Sequence, residues 1–90
     1  MASITYPMTE AAWQKQLRSF HRRIQTEWNR ENWSKVVSLC AEFKIMCRNN
    51  HAAGGLGEPD NWPWYKNMFE DAQQKNGLHW QRIVQWDDIA

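Results

Sequence analysis

The sequence predicts a mainly α protein built from a helical hairpin and a third helix. Apolar residues recur at helical spacing in three segments, capping residues precede the first two, and a glycine-rich loop sets the third apart. The predicted helices cover residues 9–30, 32–50 and 62–76, with the loop at 51–61. A chain of 90 residues, 42% of them hydrophobic, suits one small domain and is too apolar to be disordered.

The first helix is predicted from its N-terminal cap and from a stripe of large apolar side chains. Thr9 is a suitable cap, and Met8 and Trp13 stand at the spacing of a hydrophobic staple around it. The stripe is narrow, as in a coiled-coil seam, so we expect it to mediate association into a homo-oligomer. Its residues are Trp13, Leu17, Phe20, Ile24 and Trp28.

The second helix is predicted to be the most buried element, because apolar residues cover about half of its circumference. A tight break at 29–32 precedes it, with Asn32 as the expected cap, and so short a break favours an antiparallel hairpin with the first helix. Cys40 and Cys47 lie two helical turns apart, about 10 Å at 1.5 Å per residue, which is too far for a disulfide within one helix. We therefore expect buried, reduced thiols and a cytoplasmic protein.

The third helix is bounded by Pro63 in its first turn and by Asn76-Gly77 at its end. In the tail that follows, residues 78–86, apolar side chains alternate with polar ones, and a period of two predicts a strand. Its partner would be the segment 3–6 or another subunit. The predicted fold class therefore leaves room for a small β element formed by the terminal segments.

The charges divide unequally along the chain, although the net charge is only +1. Residues 1–50 carry eight Lys and Arg against four Glu, whereas residues 51–90 carry three against six Asp and Glu. Such asymmetry indicates a basic surface for nucleic acid, or complementary faces that meet within or between subunits. For nucleic acid, the candidate residues on the basic face of the first helix are Arg18, Arg22 and Arg23.

No catalytic, cofactor or metal site is predicted. Gly54-Gly55-Leu56-Gly57 follows no strand and precedes no Lys-Ser/Thr pair, so it is not a phosphate-binding loop. One zinc ion cannot bridge Cys40 and Cys47 across two helical turns, and both cysteines lie on an apolar face, which disfavours a nucleophile. No stretch is long and apolar enough for a membrane span, and residues 1–8 lack the features of a secretory signal.

The seven tryptophans favour a protein-binding role, because tryptophan is the residue most enriched at binding hot spots. We expect a small regulatory protein that is not an enzyme and that binds another protein and inhibits or remodels it. Antirepressors and anti-defence inhibitors of phages and mobile elements are of this type. The alternatives are a nucleic-acid-binding regulator and a structural subunit of an assembly. The predicted partner-binding residues are Trp62, Trp64, Tyr65, Trp80 and Trp86.

Overall fold

The computed structural model describes residues 5–79 and 81–89. Helices α1 (Glu10–Asn29), α2 (Trp33–Ala52) and α3 (Trp62–Lys75) follow one another, and a 3₁₀ turn forms at Trp86–Asp88. The three predicted helices are confirmed, and each observed end lies within two residues of its predicted position. Helix α2 packs against both α1 and α3, so it forms the centre of the fold.

The core confirms that α2 is the most buried element. It contributes seven buried residues, compared with three from α1 and four from α3. Phe43 in the middle of α2 joins the three helices, because its ring stacks on Tyr65 of α3 at 3.8 Å and lies 5.5 Å from Phe20 of α1. The buried apolar residues are Trp13, Phe20, Ile24, Val36, Leu39, Cys40, Phe43, Met46, Cys47, Tyr65, Phe69, Ala72 and Trp86.

The helix ends use the local signals that the sequence contains, with one exception. The Thr9 hydroxyl accepts a hydrogen bond from the Ala12 amide at 3.2 Å, which confirms the predicted cap. Asn32 precedes α2 without capping it through its side chain, and instead donates to the Glu27 carboxylate at 2.9 Å. Each helix is closed by a residue with positive φ, which allows the chain to reverse. These residues are Glu31 (58°), Gly54 (95°) and Gly77 (99°).

The predicted strand is absent: residues 78–79 and 81–89 contain turns and a 3₁₀ turn, and no strand occurs elsewhere in the described chain. Ser3 and Ile4 of the proposed partner segment, and Trp80, lie outside the described residues. The period of two does not correspond to one buried face, because Trp86 is 1% exposed whereas Leu78 and Val84 are about half exposed. Only a short stretch around Gln85 (φ −80°, ψ 152°) is extended, and it bonds to α2 and α3. The prediction of a small β element is therefore wrong for the described residues.

Side chains of α2 and α3 make the hydrogen bonds that a neighbouring strand would have made to this stretch. The amide of Gln73 donates to the Val84 carbonyl and accepts from the Val84 amide, both at 2.8 Å. The Trp86 amide donates to Glu70 at 3.0 Å, and the Lys44 ammonium donates to the Trp86 carbonyl. Because these backbone groups are satisfied within the chain, the tail needs no second strand.

Candidate functional site: two grooves beside the glycine loop

The segment 53–61 between α2 and α3, here called the glycine loop, borders two grooves. The first groove, of about 580 Å³, lies between the loop and α1. The second groove, of about 440 Å³, lies between the loop and α2. The fully buried side chain of Asn50 fixes the loop, because its amide donates to the Leu56 carbonyl at 2.8 Å and accepts from the Met8 amide at 2.7 Å.

Two glycines let the loop approach α2 more closely than residues with side chains would. A Cβ at position 55 would lie 2.7 Å from the Asn50 side-chain nitrogen. A Cβ at position 57 would lie 3.0 Å from the His51 ring. The short distances explain why glycine occupies these positions.

The first groove has apolar lining residues between walls of opposite charge. These residues are Trp13 and Leu17 on the α1 side and Tyr65 of α3. Arg18 and His21 stand on the α1 wall, whereas Glu58 and Asp60 stand on the loop wall. The groove therefore joins a cationic side from the first half of the chain to an anionic side from the second.

Neither wall of the first groove neutralises the other. The only ion pair among residues 5–79 and 81–89 joins Arg30 to Glu27, at 3.3 Å, so none crosses the groove. Leu56, on the loop wall, is 54% exposed. His21 is held by its ring, which stacks on Trp64 with 4.3 Å between ring centres. The groove thus presents exposed charges and an exposed leucine.

The second groove combines a tryptophan with basic side chains from one face of α2. Trp62 and Cys47 line it together with Lys44, Arg48 and His51, and Glu58 stands opposite. The three α2 residues share a face because they lie four and seven positions apart. Since the Lys44 ammonium already donates to Trp86, the exposed side chains of Arg48 and His51 are the ones available to a ligand.

The predicted partner-binding residues do not form one patch. Trp62 lines the second groove, and Trp64 reaches the edge of the first through its stack on His21. Tyr65 and Trp86 are each 1% exposed, so their rings pack in the core of the chain itself. Trp80 lies outside the described residues.

The apolar stripe of α1 also packs within the chain. Trp13, Phe20 and Ile24 are buried, and Leu17 and Trp28 pack partly buried against the same core. The Trp28 ring meets Trp33 edge to face at 4.9 Å, where the break turns α1 into α2. The stripe thus has an intrachain role that does not require a second copy.

The three arginines proposed for nucleic acid separate into two places. Arg18 lines the first groove. Arg22 and Arg23 instead line a third groove of about 350 Å³ between α1 and α2, together with Lys35. The Arg23 guanidinium lies 4.4 Å from the centre of the Phe20 ring, which holds it beside the helix.

The two thiols are buried, as the sequence predicts. Cys40 and Cys47 are 0% and 2% exposed and form no disulfide. Burial raises the pKa of each thiol from 9.0 to about 12, and the Glu58 carboxylate adds to the increase at Cys47. Among the described residues, no three His, Cys, Asp or Glu side chains are grouped as metal ligands.

These pKa shifts predict that the protein loses stability in alkali. Above about pH 9 the unfolded thiols release protons that the folded thiols hold until about pH 12, and burial likewise raises the pKa of Tyr65 from 10.0 to about 12. The free energy of unfolding should fall as pH rises through this range. Urea denaturation at each pH measures it. The double variant Cys40→Ala, Cys47→Ala should show a shallower fall, and an unchanged slope would contradict the assignment.

The chain matches no protein-family model, no curated protein and no solved structure. None of its described helices is both long and apolar enough to cross a bilayer. Fold and surface together define a small three-helix protein with two grooves beside a glycine loop.

Proposed function

We propose that this chain is a regulatory protein without enzymatic activity, which binds another protein through the second groove and inhibits or remodels it. The observation that carries the proposal is Trp62, partly buried in an open groove beside Arg48. Tryptophan and arginine are among the residues most enriched at interface hot spots. A partly buried indole also keeps its position without a partner, which lowers the entropy lost on binding.

The chemistry of the second groove favours a partner segment with an acidic residue next to an apolar one. The apolar side chain would pack on Trp62, and the carboxylate would accept hydrogen bonds from the Arg48 guanidinium. Glu58 on the opposite wall would repel a second acidic residue, so a segment with acidic residues facing both walls is disfavoured. Lys44 contributes positive charge while it remains bonded to the tail.

Reversing the charge of Arg48 should weaken the binding of the partner protein. We expect Arg48→Glu to weaken binding at least tenfold, about 1.4 kcal/mol, because a like charge then faces the partner's carboxylate. Affinity capture from cells of the source organism identifies the partner, and calorimetry with the purified partner gives the affinity. Lys15→Glu makes the same change in charge at an exposed position of α1 outside the three grooves. This control variant should bind the partner as the wild type does. Equal binding by both variants would exclude the second groove.

Within this class, an antirepressor or anti-defence inhibitor of a phage or mobile element is the type we propose, and a cytoplasmic target agrees with free, reduced thiols. The proposal rests on small size and on a surface suited to protein contact. A repressor or defence gene beside the coding sequence, followed by capture of its product, would support it. Capture of an unrelated host protein alone would count against it.

A nucleic-acid-binding regulator is the second candidate, favoured by Arg22, Arg23 and Lys35 around the third groove. Three cations in one place can contact successive phosphates, although Glu27 lines the same groove and lowers its net charge. A gel-shift titration with duplex DNA at two salt concentrations tests it. Sub-micromolar binding that weakens steeply with salt, and that is lost in the Arg18→Ala, Arg22→Ala, Arg23→Ala variant, would replace our first proposal.

We also propose that the chain forms a homo-oligomer. The α1 stripe packs within the chain, so it does not support this proposal. The support comes from the first groove, whose two walls carry opposite charges that form no ion pair with each other. Light scattering at micromolar concentration should report more than the 10.8 kDa of one chain.

A further inference from the structure

We infer that the first groove is the surface through which two copies pair, about a two-fold axis that runs along the groove. This inference rests on the self-association proposed above and assigns its surface and symmetry. In the pair, Arg18 of each copy faces Glu58 and Asp60 of the other. The occupant of the groove is therefore a second copy of this chain.

The arrangement of charge selects this symmetry. Rotation by a half turn about an axis along the groove exchanges left and right, so the cationic α1 wall of one copy meets the anionic loop wall of the other on both sides. An axis across the groove would instead set like charges against each other. A two-fold interface must be self-complementary, and a groove with one wall of each sign meets this condition.

The apolar parts of the groove agree with the same pairing. Leu56 is 54% exposed on the loop wall, and Leu17 is only partly buried on the α1 wall. The half turn that pairs the charges also sets Leu56 of one copy against Leu17 of the other. Burial of apolar surface between matched charges is the usual arrangement of a stable interface, with its polar rim around an apolar centre.

The charge pairing can be tested with two designed variants. Identical copies of either variant should repel each other, whereas the two different variants should attract one another. Arg18→Glu sets a carboxylate against Glu58 and Asp60 of an identical copy. Glu58→Arg with Asp60→Arg sets new guanidinium groups against Arg18 of an identical copy. When the two variants are mixed, every facing pair is again of opposite sign. All three positions are exposed, so the monomer fold should survive, as checked by circular dichroism.

Native mass spectrometry and light scattering at several concentrations give the result. We expect the wild type to reach twice 10.8 kDa. For each variant alone, the dissociation constant of the dimer should be at least tenfold higher than for the wild type. An equal mixture of the two variants should form the mixed dimer. Arg22→Glu makes the same charge change one turn further along α1, outside the first groove, and should dimerise as the wild type does.

The outcomes separate this inference from the proposals on which it rests. Variants that dimerise as well as the wild type would overturn the groove as the interface while leaving self-association in place. A wild type that stays monomeric at high concentration would overturn both. Neither result depends on partner binding, because both measurements use the purified chain alone. Partner binding is judged separately with Arg48→Glu, since Arg48 lines only the second groove whereas Glu58 lines both.

Discussion

Replacing Trp86 with alanine should lower the free energy of unfolding by about 3–5 kcal/mol, the range for deleting a large buried aromatic side chain. Its ring is 1% exposed and lies edge to face against Trp62 at 5.0 Å and Phe69 at 5.8 Å. The alanine would leave a cavity between α2, α3 and the tail. Urea denaturation followed by circular dichroism measures the loss, which is a large part of the total stability of a small domain.

Two control variants separate burial of the ring from other effects. Val84→Ala, at a side chain that is 50% exposed two residues earlier in the tail, should change stability by less than about 0.5 kcal/mol. Trp86→Phe should cost less than alanine, and it breaks no hydrogen bond, because the buried Trp86 Nε1 has no partner. A loss below about 1 kcal/mol for Trp86→Ala would show that the tail is not part of the core.

Replacing Asn50 with alanine should have the second-largest effect, a loss of about 2–4 kcal/mol. The side chain is fully buried and bonds the Met8 amide before α1 and the Leu56 carbonyl in the glycine loop. Alanine would leave a cavity and remove the partners of both groups. Thermal and urea denaturation measure the change in stability.

The neighbouring residue supplies the matched control for Asn50. Asn49 lies on the same helix and is exposed, so Asn49→Ala should leave the unfolding midpoint nearly unchanged. Because the glycine loop is a wall of both grooves, Asn50→Ala should also weaken self-association and partner binding, whereas Asn49→Ala should not. Equal midpoints for the two variants would contradict the role of Asn50.

The buried polar residues that organise the loop and the tail were not identified from the sequence. Asn50 continues the helical spacing of Phe43 and Met46, and Gln73 follows Phe69 by four positions, so both lie on apolar faces. A polar residue at such a position is a signal of an internal hydrogen bond. The partner of that bond, a loop carbonyl or a tail amide, cannot be read from spacing.

The three helices were determined by local sequence. Apolar periodicity, the Thr9 cap and the glycines after α2 and α3 act within one or two turns, and each produced the predicted element. The central position of α2 also followed from the breadth of its apolar face. The predicted helices form in the folded chain because their local preferences agree with the tertiary contacts.

The tail and the two grooves were decided only by tertiary structure. A segment with period two becomes a strand only if another strand bonds to it, and here side chains bond Val84 and Trp86 instead. Those side chains are Gln73, Glu70 and Lys44. Likewise the α1 stripe shows which side chains are apolar but not whether a second copy or the same chain covers them. Periodicity describes one element at a time, whereas a groove, a buried ring or a satisfied amide depends on which elements meet.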